Sequence, residues 1–191
     1  PASKSLSQTA ETLELRTLLT VDITVSGILG SNSVDYAGVS GDQDGRVFRD
    51  ASPSVAGVAK AYPGTLDAGT NFAFDNYSFQ NFSNSSSDAT ITYTGQAGLV
   101  GGGIFSVAYL GFNPAFVSSN YLGDAGDSVI AGDVGPLSYG VEVAALQSLN
   151  AVFSDVNSAG GNVGQAYSFT VSRDITDVVI TGTGAADSLV V

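Results

Sequence analysis

The chain of 191 residues contains no histidine, cysteine, methionine or tryptophan. Without histidine it has no side chain that ordinarily titrates near neutral pH, and a serine or threonine nucleophile would lack its usual base. Without cysteine it has no thiolate nucleophile, no disulfide and no zinc–sulfur site. The side chains that could still take part in catalysis are mainly carboxylates, hydroxyls and amides. The composition therefore predicts a protein that is not an enzyme.

Positive charge and long apolar runs are also scarce. Six lysines and arginines stand against 18 aspartates and glutamates, which gives a formal net charge of −12. Such a field repels phosphate groups, so nucleic acid is excluded as a partner and an anionic membrane surface is disfavoured. No apolar run approaches the roughly 20 residues of a spanning helix, so we expect no membrane insertion.

Uncharged polar residues and glycine must cover much of the surface, because only 13% of the residues are charged. A surface of Ser, Thr, Asn and Gly with few lysines is typical of secreted proteins, and we expect an extracellular or cell-surface location. The numbered chain begins at Pro1 and has no methionine, so we expect that processing removed a preceding segment such as a signal peptide.

Alternation of apolar and polar residues dominates the chain and predicts β-strands. Residues 20–26, for example, place Val21, Ile23 and Val25 on one face. Further strands are predicted at 72–79, 89–94, 104–110, 137–143, 148–154, 166–171, 177–181 and 188–191. Clusters rich in Gly, Asn, Asp and Ser predict turns at 40–45, 81–88, 101–103 and 158–162. Residues 7–19 alone carry a loose helical pattern.

This arrangement of short strands and turns predicts an all-β fold, an antiparallel β-sandwich of jelly-roll type with strand-like N- and C-terminal extensions. We divide the chain into an N-terminal arm (residues 1–20), a β-sandwich module (21–172) and a C-terminal strand extension (173–191).

Between Val21 and Ser172 the chain resembles bacterial extracellular β-sandwich modules similar to pre-peptidase C-terminal domains. The segments that carry the resemblance, in order, are 45–50, 60–64, 74–79, 104–114, 120–127 and 167–171. The resemblance implies a compact building block of secreted proteins, generally without catalysis. Relatives often carry cysteines near these strands, whereas this chain must be stabilised by packing or assembly. Residues 13–19 resemble a stretch near the N-terminus of large secreted bacterial proteins, and residues 182–190 resemble a single degenerate unit of the Gly- and Asp-rich calcium-binding nonapeptide repeats. Together the two flanks imply a surface protein or a piece of one.

The two ends of the module are the candidate assembly sites. A strand offered to the open sheet edge of a neighbour gains main-chain hydrogen bonds along its length, a mode called β-strand addition. We predict that the chain is a structural subunit that assembles with itself into a filament, sheath or surface layer. The candidate contact residues are Leu13, Leu15, Leu18, Leu19, Val21, Ile23, Val25, Leu189, Val190 and Val191. Alternatively, these segments form edge strands of their own sandwich.

Two further functions stay open. The chain could be a carbohydrate- or protein-binding module of a larger secreted protein, in which case a row of Tyr and Phe side chains should be exposed on one face. Paired carboxylates could also serve glycoside hydrolysis, although no tryptophan is present to stack on a sugar ring.

Calcium is the one metal ion that the sequence suggests, and no other cofactor is indicated. Asp42 with Asp44, and Asp124 with Asp127, lie in Gly-flanked segments that could supply oxygen ligands, although such pairs also form ordinary Asx turns. Glycans are a further possible partner, because Asn76, Asn81 and Asn84 each begin an Asn-x-Ser glycosylation sequon.

Overall fold

The computed structural model describes residues 19–31, 36, 38–175, 180–181 and 188–189. All regular structure in these residues is β-strand. The described residues contain no helix that is long and apolar enough to cross a membrane. The strands are β1 (Leu19–Ile28), β2 (Gly38–Val47), β3 (Thr65–Gln80), β4 (Ser87–Gly95), β5 (Ile104–Tyr109), β6 (Tyr121–Asp124), β7 (Leu137–Val143), β8 (Ser148–Asp155), β9 (Ala166–Ile175), β10 (Ile180–Thr181) and β11 (Ser188–Leu189).

Nine of these strands form two antiparallel sheets, one in the order β1-β9-β4-β7 and the other in the order β2-β3-β8-β5-β6. The antiparallel pairs β1·β9, β3·β8, β4·β7 and β5·β6 are nested within one another along the chain. One long ribbon of paired strands has thus been folded over on itself, which is the strand order of a jelly roll. The predicted all-β sandwich is confirmed. Strands β10 and β11 form a separate two-stranded pair.

Aromatic side chains fill the space between the sheets. Phe153 on β8 contacts Phe169 and Tyr167 on β9, with ring centroids 4.4 and 5.0 Å apart. The five-stranded sheet is buried on its outer face as well, where Phe112 packs against Phe74 at 4.9 Å. All six residues of β5 are therefore buried, as its nearly continuous apolar sequence predicts.

The outer face of the four-stranded sheet carries hydroxyl groups instead. Hydroxyls on neighbouring strands hydrogen-bond at 2.9 Å in the pairs Thr24–Thr170, Thr92–Ser138 and Thr94–Ser168. These pairs cover the sheet without using charged side chains, which is how a chain so poor in lysine and arginine can present a polar face.

The turn predicted at residues 40–45 is wrong, because these residues lie within β2. Gly41 lies opposite Phe74 on β3, where a Cβ atom would approach the ring to 3.3 Å. Gly45 has a positive φ of 70° at the point where the register between β2 and β3 shifts. The glycines thus serve close packing and a bulge inside a strand.

Candidate functional site: the edges of the sandwich

Four strands lie at the outer edges of the two sheets: β1 and β7 in one, β2 and β6 in the other. An edge strand has main-chain groups that no strand of its own sheet can bind, so each edge is a possible contact for another chain. The four edges differ in how they are protected.

A single residue, Ser54, covers the edges of both β6 and β7. Its N–H donates to the Asp124 carbonyl at 2.9 Å, and its Oγ accepts from the Asp124 N–H at 2.8 Å. Its carbonyl accepts from the Gly140 N–H on β7 at 2.9 Å. Both main-chain groups of Asp124 are therefore bonded to one residue, which joins the two sheets along this side.

Two glycines, one in β6 and one in β7, allow the chain around Ser54 to lie close to both strands. A Cβ atom on Gly123 would lie 2.4 Å from the Ser54 hydroxyl, and one on Gly140 would lie 2.7 Å from the Ala56 nitrogen. Glycine inside a strand often marks such a close approach of another backbone. We call residues 53–56 the covering segment.

The edge of β2 is protected in other ways. Its register against β3 shifts between Asp44 and Arg46, and three charged residues lie along it. The Asp44 N–H also donates to the Pro114 carbonyl at 2.7 Å, so the loop between β5 and β6 binds part of this strand. Bulges, charges and covering loops are the usual means of blocking an edge.

Strand β1 has no bulge and no covering loop in the part of the chain that the structure describes, and Asp22 is its one charged residue. All ten of its residues pair with β9 without a register shift, and its sequence contains neither lysine nor proline. Val25 is buried in the core, whereas Asp22, Thr24 and Ser26 are exposed on the outer face. No described strand lies along its other edge. Within the described residues it is a long and regular edge without a second partner strand.

A buried carboxylate holds the two sheets together on the β1 and β2 side. Asp75 on β3 accepts hydrogen bonds from the Tyr167 hydroxyl on β9 at 2.8 Å, the Ser40 hydroxyl on β2 at 2.6 Å and the Gly30 N–H at 3.0 Å. The Tyr167 and Tyr77 hydroxyls lie 2.9 Å apart. Burial raises the pKa of Tyr77 to about 12, and burial together with Asp75 raises the pKa of Tyr167 far above its usual value.

A second buried carboxylate, Asp124, lies at the end of β6. The Lys60 ammonium is 2.9 Å from both of its oxygens and 2.9 Å from Asp50 Oδ1. The Tyr121 hydroxyl also donates to Asp124 Oδ2. Burial, followed by the hydrogen bond to Asp124, raises the pKa of Tyr121 well above its usual value. This cluster fixes the long connection between β2 and β3 to β6.

A third buried carboxylate, Asp155, is bonded within a loop cluster. It accepts from the N–H of Asn162 at 2.8 Å and of Asn157 at 2.9 Å, and from the Asn162 side-chain amide at 2.7 Å. The fully buried carboxylates Asp75, Asp124 and Asp155 thus all serve contacts within the fold.

The predicted assembly residues fall in different places. Leu19, Val21, Ile23 and Val25 belong to β1, which is an edge strand of its own sandwich, and Leu189 in β11 pairs with Ile180. Leu13, Leu15, Leu18, Val190 and Val191 lie outside the described residues. Among the predicted residues in β1, Val25 has a buried side chain, so it could meet a neighbour only through its main chain. The boundaries proposed at residues 20 and 172 fall inside the β1·β9 pair, which runs from Leu19 to Ile175.

The predicted calcium ligands do not converge. Asp42 and Asp44 are exposed on β2, and Asp44 Oδ1 accepts from the Gly69 N–H at 2.5 Å. Asp124 binds Lys60, whereas the exposed Asp127 lies 3.8 Å from Arg49. Among the residues described, no group of three or more acidic side chains could hold a metal ion. Calcium binding stays a prediction.

The three glycosylation sequons differ in exposure. Asn76 is half-buried and accepts from the Asn150 amide at 3.1 Å. Asn81 is buried, and its side-chain amide donates to the carbonyls of Ser85, Val143 and Ala144. Asn84 is exposed in the loop between β3 and β4. Glycosylation stays a prediction, with Asn84 the most accessible of the three.

Comparisons with known proteins add little to this geometry. No protein-family model matches the chain, and neither does any curated protein. A solved structure described as CBM35 from Cellvibrio japonicus Abf62 is similar at a TM-score of 0.32 and 11% sequence identity. The similarity covers 71% of this chain and 92% of that one.

Proposed function

We propose that the chain is a non-catalytic structural module of an extracellular protein, and that it assembles through the β1 edge by β-strand addition. The observation that carries this proposal is the contrast between β1 and the other three edges. Covering, charge or a bulge protects β2, β6 and β7, whereas β1 presents ten regular residues. A free edge of this kind is a template for another strand.

The strand that adds to β1 is a terminal segment of a second copy of the chain. Leu19 at the start of β1 lies opposite Ile175 at the end of β9, so both chain ends leave the sandwich at one place beside this edge. The tail ends in Leu-Val-Val, residue types that favour strands, and Ser188 and Leu189 already pair with Thr181 and Ile180. A contact between the tail of one copy and the edge of the next is heterologous and extends into a filament if it does not close into a ring.

The buried polar groups support a structural role. Asp75, Asp124 and Asp155 each accept several hydrogen bonds from within the fold, and these bonds hold sheets and connections together. The resemblance to building blocks of secreted proteins points the same way.

The alternative, a carbohydrate-binding module, requires a row of aromatic side chains on one face. The large exposed aromatic residues of the described chain are Phe48, Phe82 and Phe116. They lie in three different connections between strands, so no observation favours this alternative over assembly.

Two matched lysine variants test the proposal. Thr24 on β1 and Ser138 on β7 lie in the same row of the same sheet face, and each makes one 2.9 Å hydroxyl pair. Thr24→Lys places a charge on the open edge, whereas Ser138→Lys places it beside the covered edge. Light scattering over a range of concentrations should show assembly for the wild type and for Ser138→Lys, and monomers for Thr24→Lys.

The outcomes separate the alternatives. A wild type that stays monomeric at high concentration would overturn the proposal, and so would Thr24→Lys assembling as well as the wild type. If both variants fail to assemble, the contact is the hydroxyl face rather than the β1 edge. Far-ultraviolet circular dichroism checks that each variant is folded.

A further inference from the structure

The Lys60 cluster combines a buried amine, a buried carboxyl group and a second carboxyl group at contact distance. The Lys60 side chain is 13% exposed and that of Asp124 is 0% exposed. The Lys60 nitrogen lies 2.9 Å from both Asp124 oxygens, 2.9 Å from Asp50 Oδ1 and 2.5 Å from the Ser52 carbonyl oxygen. The aromatic rings of Tyr121 and Tyr62 pack edge to face nearby, with centroids 5.2 Å apart.

An ion pair in such a place contributes little net stability, because the desolvation of two charges offsets most of their attraction. Condensation of the same two groups to an amide removes both charges from the buried site. Groups that are held in an oriented near-attack geometry react with effective molarities on the order of 10⁵ M or more. The Lys60 nitrogen already lies within 2.9 Å of both oxygens of the carboxyl group with which it would condense.

We propose that Lys60 and Asp124 form an intramolecular isopeptide bond, with Asp50 moving the proton. Transfer of one proton within the pair gives a neutral amine and a carboxylic acid. The Lys60 nitrogen then attacks the Asp124 carboxyl carbon, and the negative charge develops on Oδ1, to which the Gly126 N–H donates at 2.6 Å.

Asp50 takes the second proton from the nitrogen and passes it to Oδ2. That oxygen leaves with both protons as one water molecule, while the carbon–nitrogen bond remains as an amide. The remaining amide N–H can donate to the Ser52 carbonyl or to Asp50. The step needs no other reactant, and Asp50 returns to its starting state.

In this cysteine-free chain the isopeptide bond would be a covalent cross-link, the role that a disulfide has in other proteins. It joins residues 64 positions apart and so restricts the unfolded chain. It also ties the connection that contains the covering segment to β6. The bond neither requires nor excludes assembly at β1, so the two proposals can fail separately.

Intact mass spectrometry of the folded full chain tests the proposal. The expected mass is lower than the sequence mass by one water molecule, and digestion should release a branched peptide joining residues 60 and 124. A wild-type mass equal to the sequence mass would overturn the proposal.

Two lysine variants control for loss of water elsewhere, such as ring closure at Asp44-Gly45. Lys60→Arg keeps the positive charge but cannot form the amide, so its mass should equal its own sequence mass. Lys4→Arg changes the other lysine of the chain and should still lose water. Loss of water that persists in Lys60→Arg would contradict the assignment, and the branched wild-type peptide decides the question even if Lys60→Arg does not fold.

Discussion

The two sides of the sandwich are closed in different ways. Along β6 and β7, the main chain of Ser54 bonds to both edges, so the sheets are joined from outside. Along β1 and β2, the side chains of Asp75, Tyr77 and Tyr167 join the sheets from inside. The first arrangement occupies the edges with hydrogen bonds, whereas in the second no described strand covers the outer edge of β1.

This difference separates stability from assembly. On the covered side, the same contacts stabilise the fold and block the edge. On the open side, the interior contacts stabilise the fold while the main chain of β1 stays available to another molecule. A change to the interior on that side should therefore affect stability, whereas a change on the outer face of β1 should affect assembly.

The largest expected effect comes from Gly27→Ala, which disturbs the interior of the open side. A Cβ atom at this position would lie 2.5 Å from Tyr167 Cζ and 2.8 Å from the Tyr77 hydroxyl. Overpacking and the loss of the hydroxyl network should lower the free energy of unfolding by about 3 kcal/mol. The change is measured as a shift in the guanidinium unfolding midpoint.

Gly41→Ala is the matched control on β2. A Cβ atom there would meet the edge of the Phe74 ring at 3.3 Å, which a small ring movement can relieve. Its effect should stay below about 1 kcal/mol. Equal destabilisation by the two variants would contradict the role given to the interior tyrosines.

A smaller effect is expected for Ser54→Ala on the covered side. The change leaves the buried Asp124 N–H without its 2.8 Å acceptor, which should cost about 1–2 kcal/mol. Ser52→Ala, two positions earlier in the chain, removes only an exposed 3.5 Å contact and should change stability by less than about 0.5 kcal/mol. Denaturant unfolding of both variants checks the difference, and similar midpoints would show that Ser54 does not hold this side.

The strands with clear alternation were predictable from sequence. Residues 137–143 coincide with β7, and residues 20–26 lie within β1. Strand β2 was missed because its glycines and aspartates are typical of turns. In the structure these residues pair with β3, where Gly41 lies opposite Phe74. Strand β6 was missed because it has only four residues.

The contacts that distinguish the two sides could not be predicted. Asp75 pairs with Tyr167 across 92 positions, and Lys60 reaches Asp124 across 64, so only the folded topology brings them together. Gly140 carried a usable signal, because glycine inside a predicted strand suggests a close approach of another backbone. Nothing in the sequence identified Ser54 as the residue that makes this approach.

Hydrogen exchange of the β1 amides, measured in dilute and in assembled material, shows whether another strand binds to this edge. Amides that point towards β9 are protected in both states, whereas those that point outwards exchange freely unless another strand binds them. We expect outward-facing β1 amides to gain protection on assembly, while β7 amides do not change. Assembled material in which these β1 amides exchange as fast as in the dilute protein would contradict this expectation.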